Sequence, residues 1–287
     1  MTGTKRDNRK YSVNIREVAK RAGVSASTAS RALNGKGELS DATRQKILAV
    51  AKELDYNTNI LARGVFKGET RCVGVIMPFG ESYYTRILKG AHETLYKQGY
   101  VPVILDSCPK AFDEREQIQR LMSQRVDGII IRPTTDEADD SYFTDIIERG
   151  LPIVAVDRDL PNANVDFIGV DDRAAGVMAA RRFYESGHRR LGHLAGPQYT
   201  STARLRREGF KTEASSLGLE YVEVETENYG YNLPGAKALL GRSPRPDAVF
   251  APNDSGAVSV FDAASSMDLR VPEDLALIGM GDYDRRL

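Results

Sequence analysis

A cluster of short hydroxyl side chains, followed one helical turn later by an arginine, suggests a specific chemistry. Ser25, Ser27 and Thr28 carry the hydroxyl groups, and Arg31 carries the guanidinium. Small residues at the start of a helix let it enter the major groove of DNA, where a guanidinium can donate two hydrogen bonds to one guanine. The spacing therefore predicts a helix that contacts base edges of DNA.

Two amphipathic patterns around a tight turn would position these side chains. Gly23 suits the C-terminal cap of the first helix, because glycine tolerates a left-handed backbone. Ser25 is a candidate N-terminal cap for the second helix, residues 26–34. A helical hairpin that only forms core is the alternative to a helix-turn-helix. The buried stripe of the first helix would be formed by Ile15, Val18, Ala19 and Ala22.

The charge distribution favours DNA binding over the hairpin alternative. Residues 1–70 contain fourteen Lys or Arg and seven Asp or Glu, whereas the whole chain has forty of each. The chain as a whole is neutral, but it combines a basic N-terminal region with an acidic remainder. A small basic domain is suited to binding the phosphate backbone of DNA. We interpret residues 1–12 as a flexible basic arm and residues 13–57 as a helix-turn-helix domain.

A third helix and a linker follow the turn. Ser40 is the candidate cap of the third helix, and Asp41 complements the positive end of its dipole. Residues 58–70 are interpreted as a hinge or linker, because Gly64 and Gly68 weaken its one possible helical turn. The buried stripe of the third helix would comprise Ile47, Val50, Ala51 and Leu54.

From Arg71 onward, β-branched apolar runs alternate with amphipathic stretches of helical length. This alternation predicts parallel, doubly wound α/β sheets. The number of runs favours two lobes, about 71–168 and about 169–287, with a ligand cleft at the carboxyl ends of the strands. The predicted strands are 72–77, 101–105, 126–131, 153–156, 191–195, 221–224, 248–251 and 275–279, and the predicted helices are 83–98, 114–124, 141–149, 174–186, 202–217, 234–241 and 255–267.

Several classes of protein are disfavoured by the sequence. No apolar run approaches the ~20 residues that cross a bilayer, and the N-terminus does not resemble a secretory signal. Cys72 and Cys108 are expected to be buried free thiols, which fits the cytoplasm. Histidines and cysteines lack metal-ligand spacing, and motifs for phosphate binding or hydrolysis are missing. We therefore expect no catalytic residue, metal, cofactor or membrane association.

The sequence resembles the lactose-repressor/galactose-repressor family of bacterial transcription regulators from about Val13 to its end. The most specific stretches read I-R-E-V-A-K-R-A-G-V-S-A-S-T-A-S-R-A-L-N, V-D-G-I-I-I, S-G-H-R-R-L, A-P-N-D and V-P-E-D-L-A-L-I-G. The resemblance implies a homodimeric regulator, with repression the commoner mode, on a near-palindromic double-stranded operator. It also implies a periplasmic-binding-protein-like effector domain that closes on a small molecule such as a sugar. A solute-binding protein for transport is the alternative.

The resemblance also assigns DNA contacts residue by residue. Base contacts would come from Ala26, Ser27 and Arg31, and phosphate contacts from Ser25, Thr28 and Asn34. The family's hinge helix, which wedges a side chain into the minor groove, would include Asn59, Ala62 and Val65. Threonine replaces the usual proline at position 58 and valine the usual leucine at position 65. A plain flexible linker is the alternative for the hinge, and a solvated arginine is the alternative for Arg31.

Effector contacts are implied in the same way. Aromatic contacts would be Tyr83, Tyr84 and Tyr229, and polar contacts would be Asp157, Arg206, Asn253 and Asp282. An aromatic face beside polar groups can hold a sugar or nucleobase ring, although core packing is the alternative for each tyrosine.

The C-terminus departs from the family pattern. Chains of this family continue beyond the strand that here reads L-A-L-I-G, and they often carry an Asp–Asp pair where this chain has Gly281 and Asp282. The resemblance therefore implies an effector domain that is incomplete at its C-terminus, either in a fragment or in a shortened natural protein. Missing strands would leave open sheet edges.

Overall fold

The computed structural model describes residues 13–33, 37–56, 69–79, 82–107, 113–134 and 141–281. The chain divides into two compact units, residues 1–70 and residues 71–287. The predicted contacts Asn34, Asn59, Ala62, Val65 and Asp282 lie outside the described residues, as do the predicted arm and Cys108.

The N-terminal unit, called the head, contains three helices. They are α1 (Ile15–Ala22), α2 (Ala26–Leu33) and α3 (Asp41–Glu53). Asn14 and Glu17 form a capping box at the start of α1, which satisfies backbone N–H groups that lack helical partners. Gly23 ends α1 at φ 69°, as predicted for a left-handed cap. The core of the head is formed by Val18, Ala19, Ala22, Ala29, Ala32, Ile47 and Ala51.

The first part of the second unit, called lobe 1, is a parallel sheet flanked by helices. Its elements are β1 (Cys72–Met77), α4 (Ser82–Lys97), β2 (Val101–Asp106), α5 (Glu114–Ser123), β3 (Gly128–Ile131), α6 (Ser141–Glu148), β4 (Ile153–Val156) and β5 (Asp166–Ile168). The strand order is β2-β1-β3-β4-β5, which is the doubly wound arrangement predicted from the alternating pattern. Phe143 and Ile131 are fully buried in its core.

The rest of the second unit, called lobe 2, contains a second parallel sheet. Its elements are α7 (Asp172–Glu185), β6 (Arg190–Ala195), α8 (Ser201–Ser216), β7 (Glu220–Glu225), α9 (Leu233–Leu240), β8 (Ala248–Phe250), α10 (Asp254–Ser265) and β9 (Ala276–Ile278). The strand order is β7-β6-β8-β9. Helices α7 and α8 pack closely, because Gly176 and Gly209 lack side chains where the partner backbone approaches.

Two details of the effector-domain prediction need correction. Strand β5 was not expected, because it has three residues, all of them exposed, and so lacks an apolar alternation. Cys72 is a free thiol, but it is half-buried at the start of β1 rather than fully buried.

Among the described residues, His, Cys, Asp and Glu side chains form no group of three or more that could hold a metal ion. Over the same ranges, every helix is too short or too polar to cross a bilayer.

Candidate functional site

The start of α2 forms one candidate site, on the surface of the head. Ser25, Ala26, Ser27 and Arg31 are exposed, and Thr28 is half-buried. The Ser25 Oγ accepts the Thr28 backbone N–H at 3.1 Å, so Ser25 caps the helix as predicted. The same oxygen lies 2.8 Å from both the Ser27 and the Thr28 hydroxyl oxygens. The structure therefore presents these residues together on the surface.

Core packing of α2 determines which of its residues are exposed. Ala29 and Ala32 are buried, and Arg44 of α3 donates a hydrogen bond to the Ala32 carbonyl at 3.4 Å. This leaves Arg31 exposed, and within the described part of the chain it has neither a hydrogen bond nor an ion pair. A guanidinium with free donors can form the paired hydrogen bonds that guanine accepts.

A cavity of about 300 Å³ forms the second candidate site, in the effector domain. It lies beyond the carboxyl ends of the strands, where ligands bind in open parallel sheets. Six predicted effector contacts line it, namely Tyr83, Tyr84, Asp157, Arg206, Tyr229 and Asn253. The remaining lining residues are Arg132, Val170, Thr202, Met280 and Gly281. Residues from both lobes thus meet around one cavity.

The wall of the cavity in lobe 1 is a hydrogen-bonded group of three side chains. The buried Tyr84 hydroxyl donates to Asp157 Oδ2 at 2.8 Å and accepts from Arg132 Nε at 3.2 Å. Arg132 Nε lies 3.9 Å from the same carboxylate oxygen. Asp157 holds a left-handed backbone at φ 69°, an uncommon conformation for a non-glycine residue that often occurs at functional sites.

Burial and the Asp157 carboxylate keep both tyrosines of this wall neutral. Burial and then Asp157 raise the pKa of Tyr83 to about 12. Burial also raises the pKa of Tyr84, since the opposing effect of Arg132 is smaller. The rings of Tyr83 and Tyr84 meet edge to face with their centroids 5.0 Å apart. At neutral pH both hydroxyls are therefore protonated and act as hydrogen-bond donors.

The wall in lobe 2 includes a buried ion pair. Arg206 Nε donates to Asp172 Oδ1 at 2.7 Å, and Arg206 Nη1 donates to the Pro252 carbonyl at 2.5 Å. Burial raises the pKa of Asp172, and Arg206 offsets part of that rise. Arg206 therefore lines the cavity with its orientation already fixed.

Tyr229 is the best-supported aromatic residue of lobe 2. Its hydroxyl lies 2.5 Å from Thr202 Oγ1 and 3.0 Å from Thr200 Oγ1. Its carbonyl accepts the Asn253 side-chain amide at 2.9 Å. A Cβ at Gly196 would lie 2.9 Å from Tyr229 Cε1, so glycine is needed there to admit the ring. The ring is thus held as a rigid surface against which a ligand can stack.

Both ends of the Asn253 side-chain amide form hydrogen bonds within the protein. The Oδ1 atom accepts the Gly256 backbone N–H at 2.8 Å and caps α10, while Nδ2 bonds to Tyr229. Asn253 lines the cavity and also fixes its wall.

Sequence reasoning missed Arg132 and Thr202 as lining residues. Arg132 directly follows β3, just as Asp157 directly follows β4. The rule that ligands bind beyond strand ends would have identified Arg132. Thr202 lies in the first turn of α8, and its hydroxyl contacts the Tyr229 hydroxyl across 27 residues of sequence. Nothing local in the sequence indicates that contact.

Both parts of the chain match known families. The model for bacterial regulatory proteins of the lacI family matches residues 14–59, and the model for the periplasmic binding protein domain matches residues 73–284. The ribose operon repressor of Escherichia coli (strain K12) is 30% identical over 280 residues, covering 94% of this chain and 83% of that protein.

Solved structures give the same result. The transcriptional regulator CelR in complex with cellobiose is 29% identical, with a TM-score of 0.67, covering 94% of this chain and 83% of that one. The lac repressor dimer bound to operator and the anti-inducer ONPF has a TM-score of 0.82 with the same coverages. At 23% identity, the second likeness shows the fold.

Proposed function

Because this chain belongs to the lacI family of bacterial regulatory proteins and is a DNA-binding transcriptional regulator, we propose that a small molecule in its cavity controls its affinity for an operator. The ligand binds between the lobes, and lobe closure changes how the heads are presented to DNA. Transport of a solute is disfavoured, since the chain carries a helix-turn-helix head.

One observation carries the effector part of this proposal. Six residues that are far apart in the sequence line a single cavity, and they combine tyrosine rings with charged and amide groups. Such a lining suits a small polar ring. The names of relatives that regulate ribose use or bind cellobiose support a sugar or a related metabolite as the ligand class.

The assembly and location follow the same family. We propose a cytoplasmic homodimer that represses transcription, with each head on one half of a near-palindromic operator. Arg31 contacts guanine, Ser25 and Thr28 contact phosphates, and Asn34, Asn59, Ala62 and Val65 remain predicted DNA contacts. Asp282 remains a predicted effector contact.

Operator binding tests the head. An operator selected from random DNA with the full chain is compared, by band shift, between wild type and Arg31→Ala. We expect affinity to fall by ~1–3 kcal/mol and one base position to become degenerate, because Arg31 donates to a base. The control is Lys52→Ala, which removes an exposed charge of α3. If Arg31→Ala keeps wild-type affinity and sequence preference, the assigned role of Arg31 is wrong.

Ligand binding tests the cavity. The full chain is screened by thermal shift against D-ribose, cellobiose, other sugars and nucleobases. A ligand present at 100 times its dissociation constant adds roughly 2.7 kcal/mol of stability. We expect Asp157→Asn to abolish the response to the ligand found, while operator binding without ligand persists. A ligand response that Asp157→Asn leaves intact would place the effector elsewhere.

A further inference from the structure

The aliphatic part of the Arg31 side chain lies against a glycine between α2 and α3. A Cβ atom added to Gly37 would lie 3.1 Å from Arg31 Cδ and 3.8 Å from both Arg31 Cβ and Arg31 Cγ. Gly37 also holds a left-handed backbone at φ 81°, which residues with a side chain adopt only at a cost. Glycine is therefore required at position 37 for its backbone conformation and for the close approach of Arg31.

Arg44 of α3 holds both this glycine and the end of α2. Its Nη1 donates to the Ala32 carbonyl and its Nη2 donates to the Gly37 carbonyl, each at 3.4 Å. Ala32 is buried in the last turn of α2, where carbonyl groups lack helical partners. Because one planar guanidinium donates to both carbonyls, it fixes the glycine relative to the helix that carries Arg31.

We propose that Gly37 and Arg44 are positioning residues that orient the Arg31 guanidinium towards its base. This inference rests on the proposed function, in which Arg31 contacts guanine. Gly37 confines the aliphatic part of Arg31 on one side, whereas the nitrogen atoms of Arg31 form no hydrogen bond among the described residues. Less ordering of the side chain is then needed on binding, and a small displacement of it misaligns the two hydrogen bonds that guanine accepts.

The preference for the base that Arg31 contacts tests this proposal. Fluorescence anisotropy titrations of the full chain compare the selected operator with duplexes that carry each other base at the position that Arg31→Ala makes degenerate. We expect Arg44→Lys to reduce the preference roughly tenfold and to keep the affinity for scrambled DNA, because lysine retains the charge but lacks the planar fork that joins two carbonyls. We expect a loss of the same order in Gly37→Ala, since the added methyl group displaces the Arg31 side chain.

Two matched controls separate positioning from the stability of the head. Gly23→Ala strains another left-handed glycine of the head, at φ 69°, but its Cβ atom would meet only Lys46 Nζ, at 4.0 Å. Arg21→Lys changes an arginine that forms an exposed ion pair with Glu53. We expect both controls to keep the wild-type base preference at a temperature at which circular dichroism shows every variant to be folded.

A double-mutant cycle shows whether the two residues act through Arg31. In the Arg31→Ala background, Arg44→Lys and Gly37→Ala are expected to cause no further loss of base preference. Wild-type preference in both single variants, or a loss spread equally over all base positions, would overturn the inference. If Arg31→Ala removes a preference that both variants keep, the proposed role of Arg31 stands and only its positioning by Gly37 and Arg44 fails. An unchanged preference in Arg31→Ala overturns both.

Discussion

Arg31 of the head and Arg206 of the effector domain are the same side chain in opposite settings. Arg31 is exposed, and none of its donors is used within the described residues. Arg206 is buried and donates to Asp172 and to the Pro252 carbonyl. The proposed ligand of Arg31 is a base that supplies both acceptors, whereas the proposed ligand of the cavity meets an arginine that the protein already holds in place.

The contrast shows where each region derives its specificity. An exposed arginine does not destabilise the free head, but its side chain loses conformational entropy when it binds DNA. A buried arginine is fixed in advance, so ligand binding orders little further. In the effector domain, however, the proposed ligand contact Arg206 also stabilises the fold, because a buried ion pair that loses one member leaves an uncompensated charge.

Removing Arg206 tests this dependence and has the largest expected effect. Arg206→Met leaves the buried Asp172 carboxylate and the Pro252 carbonyl without their partner, so we expect unfolding free energy to fall by ~3–5 kcal/mol. The measurement is urea denaturation of the full chain followed by circular dichroism. Because burial raises the pKa of Asp172, protonating it restores part of the lost stability as the pH falls.

The matched control is Arg173→Met, which breaks the exposed pair between Arg173 and Glu208 on the neighbouring helices. Exposed ion pairs contribute little, so the control is expected to unfold almost like wild type. Equal losses of unfolding free energy in the two variants would show that burial does not determine how much each arginine contributes to stability.

The head was more predictable from sequence than the cavity, for physical reasons. Gly23 and Ser25 act within their own turn, so local sequence predicted both caps. The cavity residues were identified through the family resemblance, and the structure brings six of them together. The partnership of Arg206 with Asp172 spans 34 residues and requires two helices to pack, so spacing alone could not indicate it.

Mild acid is expected to destabilise the effector domain through histidine protonation, because every histidine of the sequence lies beyond residue 71. The expected loss of stability is smaller than that of Arg206→Met. His193 is fully buried on β6, stacks on Phe250 with ring centroids 5.1 Å apart, and lies with Nδ1 2.9 Å from the Phe250 carbonyl oxygen. Burial lowers the pKa of His193 from 6.5 to about 4. The unfolded chain therefore binds a proton that the folded chain excludes.

The sign follows from that difference. The stability that depends on neutral, buried His193 is fully present above pH 6.5 and is lost as the pH falls towards 4. The loss amounts to about 2 kcal/mol by pH 5. We expect His193→Gln, which keeps a donor for Phe250, to remove this loss from a series of urea melts. His92→Gln, at an exposed position of α4, serves as the control. An identical pH slope in His193→Gln and wild type would contradict the prediction.

The smallest expected effect concerns the hydroxyl that caps α2. Ser25→Ala removes the acceptor of the Thr28 N–H, so we expect the head to lose ~1 kcal/mol of stability. Ser27→Ala is the matched control, because its hydroxyl contacts Ser25 but accepts no backbone N–H in the described hydrogen bonds. If Ser25 also contacts phosphate, as proposed, Ser25→Ala weakens binding to all DNA sequences alike at a temperature where its head is fully folded. Wild-type affinity under that condition would show that Ser25 acts only as a helix cap. DNA binding by the head would then depend more heavily on Arg31.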